Sequence, residues 1–194
     1  MIENALTAKN ASLKIKITVK AVISAVIIAL SVGLPQIVHF IAGASGGVQW
    51  LPMYLPVLLG GCLLGVRWGL GTGILSPVIS FGITSLAGDA MPAAARLPFM
   101  VAELAVFAAV SGLFSKKIVE NKWLAFPAVL LASVSGRVVF IALVAIFQSI
   151  TPFTVQTIWA QIQTGFTGLI AQAVIVPFIV MGLAALLKRD KSNE

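Results

Sequence analysis

One cysteine, one histidine and one tyrosine stand in a chain of 194 residues, and only six residues are acidic. A lone cysteine, Cys62, leaves no intramolecular disulfide and no cysteine-based metal cluster. It sits inside an apolar run and reads as a small buried hydrophobe. With His39 as the only histidine, there is no H-E-x-x-H metal pair and no serine, histidine and acid set. No G-x-x-x-x-G-K-[ST] loop is present either, so the chain lacks the usual means of burning ATP itself. These absences argue against an enzyme. No residue is assigned a catalytic or metal-binding role, and no cofactor for catalysis is expected.

Charge is scarce as well. Charged residues make up 10% of the chain and hydrophobic residues 59%, with a mean hydropathy of +1.06, whereas soluble domains carry about 25% charged residues. Residues 21–42, 68–88 and 138–187 hold no formal charge at all. A helix needs about 20 such residues to cross the hydrocarbon core of a bilayer. The expected protein is therefore an all-α membrane protein, a compact bundle of six transmembrane helices over residues 18–187. Its tails are residues 1–17 and 188–194, and the crossings run over 18–41, 52–66, 69–87, 97–115, 123–147 and 159–187. The early lysines Lys9, Lys14, Lys16 and Lys20 followed by an apolar run imitate a secretory signal. That run exceeds an ordinary signal core and contains Pro35 and His39, so it is expected to stay as the first crossing.

The net charge of +7 and pI near 10.0 would suit nucleic acid if the basic residues formed a patch. Instead they mark the ends of the apolar runs. Lys9, Lys14, Lys16, Lys20, Arg67, Lys116, Lys117, Lys122, Lys188, Arg189 and Lys191 fall on one side of the expected bundle, and Arg96 alone on the other. This positive-inside bias predicts cytoplasmic termini in a multi-pass protein of the bacterial plasma membrane, with the bilayer and not nucleic acid as its surroundings. The segments around 43–51, 85–96 and 148–158 then face outward.

Two ionisable residues interrupt the crossings, Glu103 and Arg137. Exposed to lipid, each would cost about 2.5–3.5 kcal/mol, so each must face protein or water. Counted from the outer helix ends, Glu103 lies roughly 9 Å deep and Arg137 roughly 15 Å deep. They either pair with each other or meet a ligand together. Gln36 and His39 are three residues apart on one face of the first helix. Trp50, Tyr54 and Trp159 sit at the same outer level, where aromatics anchor in the interface or stack on a flat ligand. Ala21, Ala25 and Ala29 recur every four residues and form a shallow groove on the inner half of that helix. Glycines crowd the second and third crossings, as expected where helix backbones approach closely in lipid.

Three segments carry a resemblance: LPMYLPVLLGGCLLGVRWGLGTGILSPVIS (51–80), LPFMVAELAVFAAVSGLF (97–114) and SGRVVFIAL (135–143). With the alanine stripe and the expected topology, the chain resembles the substrate-binding S components of energy-coupling factor (ECF) vitamin transporters. The resemblance implies a subunit that binds a vitamin on its outer side, docks on a membrane T component coupled to two ATPases, and delivers the ligand inward. The docking stripe of such proteins corresponds to Ala21, Ala25 and Ala29. By region, ligand-facing positions correspond to Gln36, His39, Trp50, Tyr54, Glu103, Arg137, Trp159 and Gln163. Cobalamin is the leading vitamin on this likeness, then pantothenate, whose carboxylate would suit Arg137, or folate. The competing expectation is an autonomous secondary transporter or channel for a small organic solute.

Overall fold

The computed structural model describes residues 1–8 and 12–192, and among them there is no strand. The helices are α1 (Ile2–Ala8), α2 (Leu13–Trp50), α3 (Tyr54–Leu64), α4 (Val66–Leu86), α5 (Leu97–Leu113), α6 (Lys117–Glu120), α7 (Ala125–Phe147), α8 (Val155–Thr164) and α9 (Phe166–Ser192), with a 3₁₀ turn at Lys122–Leu124 before α7. Five segments are long and apolar enough to cross a membrane: Leu13–Gly43, Ser45–Leu64, Val66–Leu86, Lys122–Phe147 and Phe166–Leu186. α5 is apolar but shorter, at 17 residues.

Position in the bundle follows from composition. α3 is apolar on every face, so it has no side to offer to water and is packed on all of them. Nine of its 11 residues are buried, and it touches α2, α4, α5, α7 and α9. Val57, Leu58, Leu104, Phe107, Ala108, Val129, Ala132, Val176 and Val180 fill the core around it. The outer faces of α2, α4, α7 and α9 instead carry exposed apolar side chains, including Val22, Val26, Ile74, Ile83, Val134, Val138, Ile170 and Phe178.

The α3–α4 hairpin turns at one residue. Gly65, at φ 82° and ψ −179°, closes α3 and opens α4, a conformation that a residue with a Cβ rarely adopts. Beyond the turn, the expected close approach of glycine backbones is present. A Cβ on Gly69 would lie 3.0 Å from the Gly61 Cα, and one on Gly73 would lie 2.6 Å from the Leu104 carbonyl oxygen. We expect Gly73→Val to force α4 off α5 and to lower stability by about 1–3 kcal/mol. Thermal unfolding of the purified variant in detergent measures this, and an unchanged midpoint would refute it.

Four boundaries differ from the sequence expectation. The turn between the second and third crossings lies at Gly65 and not at Arg67 and Trp68, which are part of α4. The glycine-rich stretch after residue 42 is not an open link: the chain bends at Gly43 (φ 67°, ψ −170°) and resumes helix to Trp50, where Leu51 takes a left-handed conformation. The last crossing starts at Phe166, because α8 is a separate amphipathic helix ended by Gly165. Residues before 18 are more than a tail. Ser12 caps α2 by accepting from the Ile15 amide, and Met1 is buried against the core. Lys20 Nζ donates to Glu3 Oε2 at 2.8 Å. That hydrogen bond, and then the lysine's charge, hold the Glu3 carboxyl below its ordinary range. Lys9 lies outside the described residues.

Candidate functional site

A cavity of 390 Å³ opens at the end of the bundle where α2 bends and α4 passes into the loop before α5. Its wall draws on α2, α3, α4, α5 and the loop between the last two. His39 comes from α2, Tyr54 from the first turn of α3, and Asp89, Met91 and Arg96 from the loop. The loop is tied down by two hydroxyls near the end of α4. Ser80 Oγ donates to the Met91 carbonyl at 2.8 Å, and the Met91 amide donates to Thr84 Oγ1 at 2.7 Å. A polar loop with both its carbonyl and its amide held in this way is a firm wall and not a free strand of chain.

Beside Leu51, which lines the cavity, α9 holds the end of α2. Gln172 Nε2 donates to the Trp50 carbonyl at 3.1 Å and to the Leu51 carbonyl at 2.9 Å, satisfying the backbone where the helix ends. Gly168 allows this approach, since a Cβ there would meet the Gln49 carbonyl oxygen at 2.5 Å.

Tyr54 joins the cavity to a buried ionic group behind it. Its hydroxyl donates to Glu103 Oε2 at 2.7 Å, and Arg137 Nη1 lies 2.9 Å from Glu103 Oε1. The Arg137 guanidinium also stands over the Tyr54 ring, 4.9 Å from its centroid, a favourable position for a cation on a π face. The Tyr54 ring meets Phe107 edge to face at 5.1 Å. Glu103 is fully buried and Arg137 is 7% exposed, so the structure brings the two ionisable residues together. Neither lines the cavity.

The polar groups on the cavity surface are others. His39 Nδ1 is buried without a hydrogen-bond partner among the described residues, an open position for a donor or acceptor from outside. Arg96 is half-buried, and its guanidinium lies over the Phe140 ring at 5.7 Å. Phe140 belongs to an aromatic cluster with Phe99, Phe147 and Phe153, and Ile158 of α8 packs into the same cluster.

Of the eight ligand positions expected from the sequence, His39 and Tyr54 line the cavity, and Glu103 and Arg137 stand behind Tyr54. Gln36 is exposed on α2, Trp50 is 45% exposed, and Trp159 and Gln163 are exposed on α8; none of these four lines it. Sequence reasoning passed over Asp89, Arg96 and Gln172. For Arg96 the signal was available, because it is the single basic residue on the side that the charge bias leaves bare. Gln172 lies inside an apolar run and carried no such mark. The stripe residues Ala21, Ala25 and Ala29 are all exposed on α2. Among the described residues no group of three or more His, Cys, Asp or Glu side chains is arranged to hold a metal ion.

Comparison of the chain with protein-family models, with characterised proteins and with solved structures yields no match.

Proposed function

We propose that the chain is the substrate-binding S component of an ECF-type importer. In this reading it has six crossings and cytoplasmic termini, with α5 as the sixth; its 17 residues span about 26 Å at the α-helical rise. A vitamin enters the 390 Å³ cavity from outside, and the loaded protein then docks through Ala21, Ala25 and Ala29 on a T component coupled to two ATPases. The observation that carries the reading is the cavity: its volume falls in the range of small-molecule sites, roughly 300–1,000 Å³, and its mostly apolar wall presents a few convergent polar groups.

Those groups narrow the ligand. Arg96 offers a cation to an anionic ligand group, and the unpartnered His39 Nδ1 offers a hydrogen bond. Arg137, paired with Glu103, does not line the cavity. Size favours pantothenate over folate and over the corrin macrocycle of cobalamin, with Arg96 to meet its carboxylate and Asp89 on the same wall to meet its hydroxyls. The buried acid does not favour a proton-coupled autonomous carrier, because Glu103 holds both Arg137 and the Tyr54 hydroxyl.

The test is mass spectrometry of any small molecule that co-purifies, followed by calorimetric titration with pantothenate, folate and cobalamin. Arg96→Ala is expected to weaken binding of the carboxylate ligand at least about tenfold, with the thermal midpoint of the unliganded protein unchanged. Binding to none of the three vitamins, or full uptake in cells lacking the T component and ATPases, would refute the proposal.

A further inference from the structure

At the opposite end of the bundle, a second concavity of 500 Å³ opens between α1, the start of α4 and the end of α5. Lys20, Arg67 and Lys116 contribute to its wall, and Glu3 is the one carboxylate there. Glu3 is already paired with Lys20, whereas Arg67 and Lys116 reach solvent. The first turn of α4 forms part of the same wall, and its N-cap, Gly65, supplies no side-chain cap. Its leading amides are therefore free to donate, at the positive end of a 21-residue helix.

A second hollow borders this one. Arg67 and Trp68 also line a groove of 350 Å³ that runs between α2 and α4 past Ile28, Gly71 and Leu75. A Cβ on Gly71 would meet nothing within 4 Å. Ser24, one turn beyond Lys20, also lines this groove. It is 9% exposed, and its Oγ is buried with no hydrogen-bond partner among the described residues.

A cationic cup and an apolar groove that share Arg67 and Trp68 as a common wall, with an unsatisfied hydroxyl in the groove, fit a molecule with a phosphate at one end and hydrocarbon at the other. We propose that this is a binding site for an anionic phospholipid. The phosphate sits among Arg67, Lys116 and the α4 amides, an acyl chain follows the α2–α4 groove, and Ser24 donates to an ester carbonyl. Basic pockets between membrane helices are suited to anionic head groups by the same electrostatics. The inference rests on the membrane reading of the chain, not on transport or on the vitamin.

The test uses the full chain in nanodiscs of phosphatidylcholine doped with brominated phosphatidylglycerol or, in parallel, brominated phosphatidylcholine. Fluorescence of Trp68 is read in a background with Trp50, Trp123 and Trp159 changed to Phe; the intact chain compared with Trp68→Phe serves if that background does not fold. Brominated phosphatidylglycerol is expected to quench Trp68 at a much lower mole fraction. Arg67→Gln and Lys116→Gln should each reduce that preference about fivefold, and Gly71→Leu should weaken quenching by filling the groove. Equal quenching by the two lipids would overturn the site, and relief of quenching by inorganic phosphate would overturn its lipid occupant in favour of a free anion. The result is independent of vitamin binding, so the two proposals fail separately.

Discussion

Arg137→Ala is expected to destabilise the protein by about 3–5 kcal/mol, because it strands a fully buried carboxylate without its cation. Glu103 has no exposure to water and Arg137 has 7%. The remaining partner of Glu103 is the Tyr54 hydroxyl, and a neutral hydrogen bond does not replace a charge at 2.9 Å. A large fall in the thermal midpoint, with loss of monodisperse protein in detergent, is the expected readout. Changing both partners should do less harm than changing one. Arg137→Met combined with Glu103→Gln removes both charges, keeps an acceptor for Tyr54, and should recover most of the loss. If Arg137→Ala instead unfolds like the parent and loses ligand affinity, the ion pair is part of the binding site and not of the scaffold.

The second large effect is expected in the N-terminal half of α2. Ala25→Leu should abolish vitamin uptake in cells that express the T component and ATPases, while titration of the purified variant gives the parent's affinity. The physical reason is steric. Ala21, Ala25 and Ala29 are exposed together with Val22, Val26 and Leu30, so this face is apolar and uncovered, and only its small residues allow another backbone to come near. A leucine side chain on the stripe would hold a partner helix away without disturbing the core, because Ala25 packs on nothing inside the bundle that its replacement would displace. Uptake at the parent's rate would show that docking uses another face.

Much of this architecture was legible because hydropathy and glycine spacing act locally. The apolar runs located the long helices, and the α3–α4 hairpin followed from its glycines, but its turn was expected at Arg67 and Trp68 and lies instead at Gly65. The helical course of Ser45–Trp50 was not legible, since glycine-rich sequence ordinarily reads as a link; the anchor that holds it, Gln172, comes from more than a hundred residues later. The site was half visible for a similar reason. Glu103 and Arg137 stood out as charges in apolar sequence, but whether they face a ligand or each other depends on the rotation of α5 and α7, and no periodicity in so uniformly apolar a pair of helices records that rotation. α8 looked like the start of the last crossing because Gly165, which separates the two, is inconspicuous in a run without charge.

The ion pair also bears on how the chain is made. Glu103 precedes Arg137 in synthesis, so α5 is made before the cation that pairs with its acid. A buried carboxylate without its cation is unfavourable. Tyr54 is the only one of its two side-chain partners already present at that moment, on a helix that is itself buried on almost every side. α3 and α5 are therefore expected to associate early through the tyrosine, with α7 captured afterwards by the waiting acid. Seen in this way, Glu103 sets an order of assembly.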